Sequence, residues 1–547
     1  MGSISALNGV GICPLGDGFV PLPVPPSSNH DITLRNSIAY TTYASQSAMA
    51  SVSNINKGIP SNFMNLPMDI HFLICTLASP FSIIALRQTC KTMLYVTRQR
   101  VIWINVLQRV CHEKTVYPGT YSPLSNLNLP ALEHAALAPY RLEREARTAS
   151  HREDAVMNLS NKTTYQQQIT PGSMASPEKS FLIPGGRFFV TLHHRILELW
   201  DLGFRWQRGP DGPIATIHSE CHSFTIHPSC DARAIRILTV RYPIAPNEEY
   251  SFEVFETYPD QTEPRLAKIA SIQAISQYRL YFTSICENLL VLVHEHAIKI
   301  WDFVGNRWTS WYTDRTPQQV PFVPSFALEL ISHPRLQILM TTDQIMLIDI
   351  AQRVAVWDIP VLSPDAATFA KAPEPEPSHD HDPLRCIYLP QEYGLWWCNG
   401  LSDWYTGSQQ PLWFDVVLPS VLPSSHPTFQ RFEVTSSHTK ESPQALVHLS
   451  TFSIGSYQYV LPCRVSGSDL SFVWLDSTHV RWQVGPSLRD KTGYSVSLLN
   501  LAIDSDDFLN VSFCPIAGRL CYASSAGNAR YIHVIDYLSP PSDAFSN

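Results

Sequence analysis

LPMDIHFLICTLASPFSIIALRQTCKTMLYVTRQRVIWINVLQRV, residues 66–110, is the stretch around which the rest of the chain is organised. Pro67 suits the first position of a helix, where a missing N–H costs nothing, and Asp69 falls in the first turn, where the helix dipole favours a negative charge. Ile70, Leu73, Ile74 and Leu77 then recur at i, i+3, i+4 and i+7, a single apolar stripe. Ser79-Pro80 stops this helix and caps a second, along which Ile83, Leu86, Cys90 and Met93 or Leu94 keep helical spacing. Thr97 caps a third, carrying Trp103, Val106, Leu107 and Val110. Three short helices bury little core among themselves, so the pattern predicts that they need a partner surface.

Working outward, residues 1–60 are rich in Ser, Asn, Pro and Gly without a sustained period and read as a disordered tail. On the other side, residues 111–174 read as a linker with a helix near 131–147, in the run LPALEHAALAPYRLEREAR. Pro139 is expected to kink or divide that helix. Leu132, Ala136 and Tyr140, or Leu142 on the other side, are its candidate packing residues, and its many charges suggest partial solvation.

From about residue 175 the texture is that of β-structure: short apolar runs between Pro, Gly, Asn and Asp turns. A weak repeat is present. Its clearest copies are Ile196–Leu202 (ILELWDL) and Ile298–Phe303 (IKIWDF), with Ile345–Ile350 and Ile532–Tyr537 keeping the alternation and the Asp. Phe252–Thr257, Leu412–Val416 and Thr478–Trp482 are degraded candidates. In each copy alternate side chains point to opposite faces, as a strand packed between sheets requires. Pro184-Gly185-Gly186 and Pro515–Gly518 look like hairpin turns preceding two of the copies. Residues near 362–383 alternate Pro with acids and read as an exposed loop inside this region.

Leu66-Pro67, Asp69-Ile70, Ile74, Leu77, Leu86, Cys90-Lys91 and Trp103 resemble an F-box, in that order and spacing, with Asp69 where the family usually has Glu. The repeat region is similar to WD40-like β-propellers. The fold expected is therefore multidomain: a small all-α F-box of three helices over 62–110, then an all-β propeller over 175–547, counted as seven-bladed with six or eight left open. The resemblance implies a non-catalytic substrate receptor. Leu66, Pro67, Asp69, Ile70, Ile74, Leu77, Leu86, Cys90 and Trp103 would bind a Skp1-type adaptor and, through it, a cullin. The propeller would hold a protein substrate that the sequence does not identify. The other reading is a propeller scaffold without a ligase role, its helices packed internally. Exposure of the Ile70–Leu77 face separates the two.

Composition narrows the rest. A formal charge of −8 with 39 basic residues in 547 offers no basic field for nucleic acid. No uninterrupted apolar run is long enough to cross a bilayer, and Pro14, Pro21, Pro23, Pro25 and Pro26 break any secretory signal, so a cytoplasmic or nuclear protein is expected. The 12 Cys form no CxxC pair, and no nucleophile, nucleotide-loop or zinc-protease motif occurs. No cofactor or metal is expected. His379-Asp380-His381-Asp382 and the pair His294 and His296 are the nearest approaches to a metal cluster. Trp396-Trp397, Trp404-Tyr405 and Trp413 read as filling between sheets, and Arg205, Arg208, Arg307 and Arg315 fall near blade-end turns without defining a site.

Overall fold

Ser79 ends one helix and begins the next: its hydroxyl accepts from the Ser82 N–H at 3.1 Å, and Pro80 occupies the first helical position. In the computed structural model the described residues are 63, 66–152, 155–158, 160–168, 179–193, 195–204, 207–242, 250–274, 280–294 and 297–312. Further on they are the strands given below together with 359, 362, 515–518 and 537–539. The expected tail and the 363–383 stretch lie outside them.

Among the described residues five α-helices come first: α1 (Met68–Leu77), α2 (Pro80–Arg87), α3 (Lys91–Thr97), α4 (Arg100–Glu113) and α5 (Leu129–Ser150). The stretch read as three helices thus forms four. Cys90 does not continue the second helix. Its backbone is extended and its Sγ accepts from the Met93 N–H at 3.4 Å, so it caps α3. Thr97 does not cap the next helix either. Its hydroxyl donates back to the Met93 carbonyl at 2.6 Å inside α3, leaving Gln99 as the N-cap of α4. Nor does Pro139 divide α5, which runs unbroken for 22 residues. Packing on both sides of Pro139 outweighs its propensity: Ala131, Leu132, Ala135 and Ala136 sit in one core cluster, and Ala138, Leu142, Ala146 and Ala149 in a second. The helix read as partly solvated presents small residues inward so that two surfaces can approach it.

The rest of unit Pro67–Asn547 is a succession of four-stranded antiparallel sheets, seven among the described residues. Sheet I is Lys179–Leu182, Phe188–His193, Ile196–Asp201 and Ala215–His218; sheet II is Ser223–Pro228, Ile235–Arg241, Tyr250–Thr257 and Ala267–Ala274. Sheet III is Leu280–Cys286, Leu289–His294, Ala297–Asp302 and Arg307–Tyr312; sheet IV is Leu336–Met340, Gln344–Asp349, Arg353–Asp358 and Arg385–Tyr388. Sheet V is Cys398–Asn399, Leu412–Leu418, Thr428–Val434 and Leu446–Ser453; sheet VI is Tyr459–Leu461, Ser471–Leu475, His479–Val484 and Tyr494–Asn500. Sheet VII takes Val511–Cys514, Arg519–Ala526 and Ala529–Asp536 from the end of the chain, and its fourth strand, Asn161–Gln168, from before sheet I. First strands of successive sheets touch one another, as in II with III, III with IV and VII with I. Consecutive four-stranded meanders with neighbouring inner strands and a last sheet completed from upstream make a β-propeller. The strand Asn161–Gln168 falls inside the stretch expected as linker, so the β-region begins earlier than residue 175.

Five repeat copies lie on third strands, at 196, 252, 298, 478 and 532. The copies at 345 and 412 lie on second strands instead. Their third-strand counterparts are Arg353–Asp358, which also ends Trp-Asp, and Thr428–Val434, which has lost both residues. The acid has a physical reason. At the ends of third strands Asp201, Glu256, Asp302 and Asp536 pair with Arg187, Arg236, Arg307 and Arg519 at 2.8, 2.9, 2.6 and 2.8 Å.

Because strands alternate in direction, first-to-second and third-to-fourth turns share one end of the ring. There the segment after α4 is bolted on. The Tyr117 N–H donates to the Pro184 carbonyl at 3.0 Å and its hydroxyl to the Arg233 carbonyl at 2.5 Å. Arg187 donates to the carbonyls of Thr120 and Ser122 at 3.3 and 2.9 Å. Gly185 has φ +112°, and a Cβ there would stand 2.3 Å from the Thr120 hydroxyl. Replacing Gly185 by Ala should therefore cost about 1–3 kcal/mol from strain, read as a lower denaturation midpoint at unchanged slope.

Burial also gives the ring a pH dependence. Desolvation lowers His227 to about 4, with Arg236 opposing its charge, and lowers His533 to about 4, with Lys162 adding to the effect. Both histidines fold as neutral rings, so protons bind the unfolded chain more tightly. Stability should be full above pH 6.5 and fall between there and about pH 4, a loss that chemical denaturation across this range would measure.

Candidate docking surface

Helix α1 packs His71 and Cys75 inward, with half-buried Phe72 against the same core. His71 and Cys75, one turn apart, are 1% and 0% exposed. The aliphatic side chains are the ones left outward: Leu73 is 55% and Leu77 74% exposed, with Met68 and Ile70 also exposed and Ile74 half-buried. The core beneath α1 is filled from the other side by Met93, Val96, Trp103, Val106 and Leu107. Arg109 of α4 donates to the carbonyls of Thr76 and Ala78, which satisfies the end of α1 and holds the α1–α2 turn. Phe81 extends the exposed apolar surface onto α2 and is held edge-on by Tyr140 at 5.8 Å, with the Arg144 guanidinium over its ring. Tyr95 on α3 and Val101 on α4 are further exposed apolar side chains.

The arrangement is anchored from behind. Arg87, at the end of α2, makes a two-pronged ion pair with Glu133 of α5 at 2.6 and 2.9 Å and donates to the Thr97 carbonyl. The same guanidinium lies over the Trp103 ring. Trp103 is fully buried and donates from Nε1 to the Thr97 carbonyl at 2.8 Å.

The residues expected to bind an adaptor thus separate. Pro67, Asp69, Ile70 and Leu77 are exposed, and Ile74 is half-buried beside them. Leu66 is exposed at the end of the preceding unit. Leu86 and Cys90 are half-buried and pack against the core. Trp103 must be corrected: with no exposed surface it organises the helices and cannot meet a docked protein. Met68, Phe81, Tyr95 and Val101 are exposed apolar residues that the helical pattern did not single out. Phe81 had a signal, since it follows the capping Ser79-Pro80 and stands four residues from Leu77, across the turn.

Burial pushes the Cys75 thiol up, and the Cys111 thiol up to about 12, so both stay protonated. Among the described residues no group of three or more His, Cys, Asp or Glu is placed to hold a metal, and no helix is long and apolar enough to cross a membrane. His193 is buried beside Glu198, 3.4 Å from its carboxylate. Residues 296, 379–382, 396–397, 404–405, 205 and 315 lie outside the described residues; His294, Trp413 and Arg208 lie on strands. Arg307 is committed to Asp302.

No family model matches the chain, and no curated protein matches it. Among solved structures it is similar to the β-propeller domain of Cps50 (Swd1) from Myceliophteria thermophila, with a TM-score of 0.39 and 9% identity over 68% of this chain and 99% of that one. It is similar also to the β-propeller domain of Nup133 from Vanderwaltozyma polyspora, at 0.38 and 10% over 69% and 100%. The N-terminal domain of Nup159 gives 0.33 and 11% over 70% and 98%. The propeller assignment rests on strand order and pairing within this chain.

Exposure makes a direct prediction. Leu73→Ser and Leu77→Ser should each change folding stability by no more than about 0.5 kcal/mol, whereas Ile83→Ala, in the core, should cost about 2–5 kcal/mol. Urea denaturation of the three variants would measure the contrast.

Proposed function

We propose that this chain is a non-catalytic receptor: α1 and α2 dock on a Skp1-type adaptor of a cullin ubiquitin ligase, and a seven-bladed propeller holds the protein to be modified. The observation that carries the reading is the outward apolar side of α1. A helix that keeps His71 and Cys75 inside and leaves Leu73 and Leu77 in water pays for that arrangement only if another protein covers it. The order Leu66-Pro67, Asp69-Ile70, Ile74, Leu77 supports the F-box resemblance. An internally packed scaffold would bury this side against the propeller, and the described helices meet the sheets through their other sides.

The propeller's part follows from where the helices sit. The described contacts of the segment after α4 fall at the end bearing the first-to-second turns, such as Pro184–Arg187 and Arg233. The opposite end, with the second-to-third turns, is the surface we assign to the target. Catalysis would be by proximity: holding a target lysine near a ubiquitin-charged enzyme raises its effective concentration. A cytoplasmic or nuclear setting fits this role.

Co-purification tests it. The wild-type chain should retain a Skp1-type adaptor from the same cells. Leu73→Ala with Leu77→Ala should lose about 2–4 kcal/mol of binding, at least a thirtyfold weaker complex, with an unchanged circular dichroism spectrum. An adaptor that binds the double variant as tightly as the wild type would sink the assignment.

A further inference from the structure

The helices bearing the docking surface and the strands that close the ring share one core. Cys75, Ile83, Val96, Trp103 and Leu107 belong to the same buried cluster as Tyr165 of the closing strand, Phe189 and Trp200 of sheet I, and Cys521, Ile532 and Val534 of sheet VII. The closing strand pairs along its whole length, from Asn161 opposite Asp536 to Gln168 opposite Ala529. Its side chains engage as well: Thr164 meets His533 across 369 residues of sequence.

Two buried arginines lock the same seam. Arg530 of sheet VII is fully buried and donates to Glu198 of sheet I at 3.1 Å, a carboxylate that also takes the Thr191 hydroxyl and the Trp200 N–H. Arg519 pairs with Asp536 and reaches across to the carbonyls of Gly186 and Gly203 at 2.7 and 2.9 Å. Between helix and ring lies α5, whose Ala138, Leu142, Ala146 and Ala149 pack with Val480, Leu498, Leu520 and Ile535 of sheets VI and VII. Just beyond it Ala155 and Met157 bracket Ser497 through backbone hydrogen bonds of 2.8 and 2.9 Å.

We propose that the docking surface is built only when the ring closes: α1–α4 hold their arrangement while sheet VII is sealed by the strand before sheet I, and loosen when it opens. The four helices are too small to supply a core of their own. Their inner faces are completed by α5 and by residues of sheets I and VII. The C-terminal strands thereby control whether the N-terminal helices can present Leu73 and Leu77 as a surface. This coupling holds whatever protein covers that surface, and its test uses no partner.

Hydrogen exchange on the full chain decides it. In wild-type protein under rising, sub-denaturing guanidinium, amides of residues 68–113, 161–168 and 519–536 should merge into one opening with a common denaturant dependence. Helices that open with a shallower dependence while the sheet VII strands remain protected would overturn the proposal. Arg530→Gln supplies a perturbation within the seam, at a residue outside the helices. Leaving Glu198 buried without its cation should raise exchange by about a hundredfold or more, by the same factor in the closing strand and in α1 and α4. A rise confined to sheets I and VII, with α1 and α4 exchanging as in the wild type, would refute the coupling. The wild-type measurement stands even where this variant does not fold.

Discussion

The pairing of Asn161–Gln168 with Ala529–Asp536 is the constraint on which the rest depends. A ring of sheets has to end somewhere, and an open last sheet exposes a row of backbone donors and acceptors. Here the edge is completed by a strand made long before the other three. The exchange of backbone hydrogen bonds fixes the register, and the fixed register places Tyr165 where its hydroxyl reaches the Leu202 carbonyl at 3.1 Å. Beside that ladder, α5 packs on Leu520 and Ile535 of the same sheet.

One charged pair recurs at strand ends in this fold. The acid closing a third strand and the arginine beside it recur in sheets I, II, III and VII, and each arginine fork also satisfies a backbone carbonyl. Such groups contribute direction more than net stability, because burial of both partners offsets much of their attraction. They aim the turns, and the turns at this end of sheets I and II carry the segment that binds the helices to the ring. Apolar packing between sheets supplies the bulk of the cohesion, through residues such as Phe188, Phe252, Trp301 and Trp311.

Much of this was legible in the residues. Alternation in ILELWDL and IKIWDF marked true third strands, and Pro184-Gly185-Gly186 marked a true hairpin turn, since period and turn chemistry are local properties. The closing strand was not legible, because NKTTYQQQ has no apolar alternation and its partner lies far along the chain. Pro139 misled because tertiary packing overrode local propensity. On the candidate surface, helical spacing identified Ile70, Leu73, Ile74 and Leu77 as one stripe but could not say which way it faced. Only the neighbouring helices reveal that His71 and Cys75 take the inside. Trp103 looked like part of the same constellation because spacing carries no information about depth.

The outward leucines of α1 have a cellular consequence. Side chains of this kind, left in water, invite self-association and recognition by the machinery that removes misfolded chains. If a partner protein covers Leu73 and Leu77, as proposed, a cell would keep only as much of this polypeptide as it has of that partner. Its abundance would track the supply of that shield rather than its own rate of synthesis.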